Sequence, residues 1–271
     1  MKRITHLIML LTVLSLLLAA CGGGGTAPAQ SVAPTSTMPP AQNNQGDSGA
    51  PQAEGYQVVP VTGGGTIRGR ITYSGPPVEP QVVTVDKDVE KCGQTQEVVK
   101  VRVDGSGGLA DAVVRITNIT AGKAMDALGS EFVLDQANCV YVPAVLIVPV
   151  GKEVKIKNSD AILHNVHTTP FDNPPLNVAQ PATQPEIMSQ AFTIPETIPV
   201  GCDVHKWMFA NIVVVDTPYA VVSGADGSFT LTDVPAGEYA VEVWHSELGT
   251  QTANVTVEAG QEAKLDVDFT Q

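Results

Sequence analysis

In the last third of the chain, Gly201-Cys202-Asp203-Val204-His205-Lys206-Trp207-Met208 crowds a thiol, an imidazole and a thioether into one short segment. Such soft and borderline donors can meet around a single metal ion only if both ends of the segment are held. Ala191-Phe192-Thr193-Ile194 leads in, and Ala210-Asn211-Ile212-Val213-Val214-Val215 follows, apolar and β-branched. The flanks predict strands, with the donor loop joining them. A second imidazole, His164, stands well upstream in Lys155-Ile156-Lys157-Asn158-Ser159-Asp160-Ala161-Ile162-Leu163-His164-Asn165-Val166-His167.

Elsewhere, short alternating runs are separated by turn residues and no long stretch has helical period, so the fold class is all-β. Strands are expected at 66–73, 98–103, 112–117, 140–148, 154–157, 229–232, 239–244, 253–257 and 264–269, with a short helical turn at 123–128.

Two histidines, one cysteine and a weak methionine are the ligand set of a blue-copper electron-transfer centre. With its C-x2-H-x2-M spacing and the His164-Asn165 pair, the region resembles cupredoxins of the amicyanin and plastocyanin type. The resemblance implies a Greek-key β-sandwich over 119–216 and one type 1 copper, with His164, Cys202 and His205 equatorial and Met208 axial. It further implies that Asn165 ties the ligand loop by a hydrogen bond, and that electrons pass through the exposed edge of His205 with Trp207 beside it. Val200 and Ala210 stand where an aromatic residue and a glycine are common in that family; neither change removes a ligand. His167, at odd spacing from His164, points to the opposite face of an extended segment, as an exposed residue or part of the rim. His245 reads as a surface or structural histidine rather than a ligand.

The chain begins with Lys2 and Arg3, an apolar run from Leu7 to Leu18 and small residues before Cys21. The run is short for a membrane span and reads as a signal peptide over 1–20. Leu18-Ala19-Ala20-Cys21 resembles a bacterial lipobox, which implies cleavage and acylation at Cys21; the alternative is an ordinary secretory signal. Residues 21–64 are rich in Gly, Pro, Ser, Thr, Gln and Asn and read as a flexible linker. With Cys21 acylated, Cys92, Cys139 and Cys202 remain; a Cys92–Cys139 bridge leaves Cys202 for copper, whereas a bridge from Cys202 would destroy the site.

Asp226-Gly227-Ser228-Phe229 and Pro235-Ala236-Gly237-Glu238-Tyr239 bracket a strand with two turns. This resembles the carboxypeptidase regulatory-like domain, a small transthyretin-like β-sandwich, whose first half Gly65-Thr66-Ile67-Arg68-Gly69 also fits. The expected arrangement is a discontinuous sandwich, 65–118 plus 217–271, with the copper domain inserted; the alternative is two sequential domains.

Lys and Arg number 15 against 28 Asp and Glu, a net charge of −13. Nucleic acid is not an expected partner for such a surface. A small-molecule substrate and an enzymatic role are not expected: Cys202 lies between Gly201 and Asp203, without the adjacent histidines or His-x-His pairs of multicopper enzymes. The expected role is an extracytoplasmic, lipid-anchored carrier of single electrons, in the periplasm or at the cell surface. Its partner would be a cytochrome or a membrane electron-transfer complex. The alternative is a copper-binding or scaffold lipoprotein that transfers no electrons.

Overall fold

The computed structural model describes residues 55–270. The expected signal peptide, Cys21 and most of the linker lie outside the described residues. Within them the chain is almost wholly β, broken by a helical turn Val89–Cys92 and a 3-10 turn Met125–Leu128. The chain enters the fold earlier than residue 65. Tyr56 is buried and its hydroxyl donates to the Lys123 carbonyl at 2.7 Å, while Gln57–Val58 pairs with Ala121–Gly122. One aromatic anchor thus orders a stretch whose composition reads as linker.

Two β-sandwiches are present. In the first, a sheet ordered Ala220–Val222, Val113–Ile116, Gly237–His245, Gly249–Val257 faces a sheet in which Gly65–Tyr73 pairs with Ser228–Val234, Glu262–Lys264 and Val267–Phe269. Gly237–His245 shows why: Tyr239, Val241, Val243 and His245 point inward and alternate with less buried neighbours. Its core contains Ile67, Ile71, Leu109, Val114, Tyr219, Phe229, Val241 and Phe269. The Asp226-Gly227 turn is dictated by packing as well as by local preference. Gly227 has φ +78°, and a Cβ there would lie 2.1 Å from the Ile71 carbonyl oxygen.

In the second sandwich, a sheet ordered Glu186–Met188, Lys155–Asn158, Val133–Ala137, Val140–Val142 packs on one ordered Asn177–Gln180, His164–Thr168, Glu196–Gly201, Phe209–Val215, Val145–Pro149. The expected strand over 140–148 is two strands in different sheets, parted at Pro143, which has no N–H for a ladder. Phe209–Val215 reads as a continuous apolar run because both its faces are covered. Ala210, Ile212 and Val214 enter the second core, while Val213 and Val215 meet Val113, Met125, Val145 and Ala220 in a smaller cluster between the sandwiches.

One segment departs from the sequence reading. Gln81–Thr84 and Thr95–Val98 form a hairpin around the turn Val89–Cys92, and Val85, Cys92 and Val98 are buried in the core of the second sandwich. The expected strand over 98–103 therefore ends where it was to begin. The run Asp86-Lys87-Asp88-Val89-Glu90-Lys91 carries no apolar period to betray this; the cross-link described below fixes it.

Candidate metal centre

His164 opens its strand, held opposite Gln180 across the ladder. Cys202 follows the strand Glu196–Gly201, and the chain turns through His205 back into Phe209–Val215, with the Met208 N–H donating to the His205 carbonyl at 3.0 Å. These strand ends bring His164, Cys202 and His205 together, with ligand atoms all within 4.8 Å of one another. The two Nδ1 atoms are 3.0 Å apart, and Cys202 Sγ is 3.9 Å from His205 Nδ1. All three residues are buried, and Met208 is buried in the same core cluster as Cys202 and Trp207.

The outer nitrogens explain the inner ones. His164 Nε2 lies 3.0 Å from Asp160 Oδ2, and His205 Nε2 lies 3.0 Å from Asp88 Oδ2. A carboxylate only accepts, so each Nε2 carries the hydrogen, which leaves Nδ1 as the position that can present a lone pair. Burial pushes the His164 imidazole below its ordinary value, toward the neutral form, against the pull of Asp160. Burial alone would raise the Asp160 carboxyl, but the Cys139 N–H, His164, the Asn138 N–H and Lys91 outweigh it and hold it below its usual value. Two lone pairs facing each other at 3.0 Å beside a sulfur, shielded from water, form a donor set that a soft or borderline cation completes. The residues therefore fit a metal ion bound by two nitrogens and one sulfur.

The surroundings hold the loop. The Asp203 N–H donates to Asn165 Oδ1 at 2.9 Å, while Asn165 Nδ2 donates to Asn177 Oδ1 at 2.7 Å. The His205 N–H points at Cys202 Sγ from 3.3 Å. Tyr141 Oη lies 2.5 Å from the Asn165 carbonyl oxygen and 3.0 Å from that of Gly201, joining both ligand segments. Trp207 is packed inward: its Nε1 donates to the Cys139 carbonyl at 2.9 Å and its ring centroid is 5.1 Å from that of His205.

Cys92 and Cys139 form a disulfide, and Cys202 is free and buried. His167 stays outside the cluster, half-exposed, with Nδ1 3.2 Å from Asp203. His245 is not a surface residue. It is buried in the first sandwich; the Glu247 N–H donates to its Nδ1 and its Nε2 has no partner among the described residues. The exposed edge expected at His205 is absent, since that residue is 0% exposed and Asp88 covers Nε2. Asp88 and Tyr141 escape a sequence reading, because an aspartate or a tyrosine carries no period or spacing that ties it to a distant loop; Asp160 lies only four residues before His164, but its contact depends on the turn between them.

Residues 208–270 match the carboxypeptidase regulatory-like domain. Among solved structures, the chain is similar to an oxidised proline-to-alanine mutant of amicyanin at 27% identity, covering 33% of this chain and 89% of that one, with a TM-score of 0.28. It is similar to a purple cupredoxin from Nitrosopumilus maritimus at 20% identity, covering 32% and 99%, with a TM-score of 0.27. A copper-containing nitrite reductase from Thermus scotoductus SA-01 aligns at 20% identity over 38% of this chain and 26% of that one, with a TM-score of 0.30. No curated protein matches the chain by sequence.

Proposed function

We propose that this chain is a type 1 copper protein that carries single electrons outside the cytoplasm, tethered to a membrane through Cys21. The observation that supports the reading most is the convergence of His164 Nδ1, His205 Nδ1 and Cys202 Sγ in a buried site whose outer nitrogens are already committed to carboxylates. His164, Cys202 and His205 would hold the ion, with the buried Met208 thioether as a further weak donor. Copper bound there would supply a reversible one-electron couple, strongly coloured through the thiolate. Asp160 and Asp88 orient the rings, Asn165 and Tyr141 fix the distance between the ligand segments, and the apolar core around Trp207 excludes water. With ligands anchored on strand ends, little would rearrange when the charge of the site changes.

The partner would be a cytochrome or a membrane electron-transfer complex, and no catalytic step is assigned. The competing reading, a copper-holding protein that transfers no electrons, is favoured by the burial of both imidazoles.

The deciding test is a Cu(II) titration of the purified protein followed by visible absorption, with Cys202→Ser alongside. An intense band saturating at one equivalent, absent in the variant and bleached reversibly by a mild reductant, is the expected result. A folded protein with a free thiol and no such band defeats the reading, and a site that takes Zn(II) but not copper does so equally. A band without a reversible couple at an electrode leaves only the copper-holding alternative.

A further inference from the structure

The carboxylates that hold the two imidazoles come from distant parts of the chain, yet a single helical turn connects them. Asp88, at the N-terminal boundary of Val89–Cys92, reaches His205 Nε2. Lys91 Nζ, from within the turn, is 3.2 Å from Asp160 Oδ1, and Asp160 holds His164. Cys92, at its end, is bonded to Cys139, and the Asn138 and Cys139 N–H groups both donate to Asp160 at 2.7 Å. Each of these ties leads to one of the two rings.

Apolar burial accounts for only part of the placement of the hairpin. Val85, Cys92 and Val98 are buried, but Val82 is 63% exposed and Val89 is 41% exposed. Asp88 is also left-handed, at φ 52° and ψ 35°, a conformation that costs free energy in a non-glycine residue. That cost is offset where the carboxylate closes the outer nitrogen of a buried imidazole.

We infer that Gln81–Val98 is a covalently pinned cap on the metal centre. Asp88 positions His205 with Nδ1 toward Cys202 and His164 and seals its outer edge, and the Cys92–Cys139 bond keeps the cap in place. The identity of the ion rests on the function proposed above; the closure belongs to the protein without metal. Small chelators and water reach the centre only when the cap moves, so bound metal exchanges slowly.

The test uses the metal-free protein and diethyl pyrocarbonate, with the modification of each histidine followed by peptide mass spectrometry. In the wild type, half-exposed His167 reacts first while His164, His205 and His245 are protected. Asp88→Ala, and separately Cys92→Ser with Cys139→Ser, should speed modification of His205 by about tenfold or more through local opening, with His245 in the other sandwich still protected. Wild-type His205 reacting as fast as His167, or an unchanged rate in Asp88→Ala, overturns the cap. Equal loss of protection at His205 and His245 shows general loosening and overturns it too. In the loaded protein, Asp88→Asn should weaken metal binding by about 10–100-fold in chelator competition, since the neutral amide oxygen accepts more weakly than the carboxylate and no longer raises the basicity of the ring. A wild type that binds no copper sinks the proposed function and leaves the modification experiment to decide the cap by itself.

Discussion

The two sandwiches share a class but bury different things. Of the 13 buried polar or charged residues among those described, 11 lie between Gln136 and Asn211 in the second sandwich, and only Ser223 and His245 lie in the first. Buried polar groups cost stability unless each finds a partner, so a core that keeps so many is maintained for something other than stability. In the second sandwich they form connected chains, such as Gln136 to Gln180 and Asn158 to the Gln180 carbonyl, packed beside the strand that begins at His164. The first sandwich is held by apolar packing, with Ser223 bridging the Leu109 carbonyl and the Ala112 N–H as its main internal polar tie. The contrast separates a sandwich whose core carries a connected polar network from one held by apolar packing.

The comparison breaks most sharply if loss of one core disturbs the other. Phe269→Ala empties a fully buried position in the first sandwich and should cost about 3–5 kcal/mol in chemical denaturation. Metal binding at His164, Cys202 and His205 should be unchanged while the protein stays folded; a parallel loss of metal would show that the sandwiches are not separable. Asn165→Ala removes the acceptor for the Asp203 N–H and should cost about 1–3 kcal/mol. Unlike Phe269→Ala it should also weaken metal binding, which isothermal titration with Cu(II) or Co(II) would read.

The smallest effect concerns His245. Burial depresses its folded-state value below the ordinary 6.5, against Asp111 and Glu247, which raise it, and with Arg102, which lowers it further. A depressed value means the folded state resists the proton, so stability is fully present above about pH 6.5 and falls as pH drops, by at most about 1.4 kcal/mol per pH unit. Denaturant midpoints of His245→Phe should fall less between pH 7 and pH 5 than those of the wild type. An identical pH slope in both proteins would mean that His245 reaches a partner when charged.

The all-β class was legible because turn residues punctuate short alternating runs, as in Gly237–His245, where periodicity and burial agree. The donor set was legible in part because two of its three members, Cys202 and His205, share one loop, so only His164 had to be brought in from elsewhere. The hairpin Gln81–Val98 was not, since Asp86 to Lys91 is charged at every position but Val89 and its placement depends on Cys139 and His205. Pro143 is plain in the sequence, but its effect of parting Val140–Val142 from Val145–Pro149 depends on which sheet each half joins.

By itself, then, the sequence determined local quantities: strand period, turn positions such as Gly227, and the spacing of thiol, imidazole and thioether from Cys202 to Met208. These depend on residues a few positions apart, where chain geometry leaves little freedom. Only the tertiary structure decided that His205 is sealed, that Asp88 and Asp160 complete the two rings, and that one turn of helix links them. Apart from Asp160 and His164, four positions apart, those contacts join residues far apart in sequence through single hydrogen bonds and one covalent bridge, which leave no periodic trace along the chain.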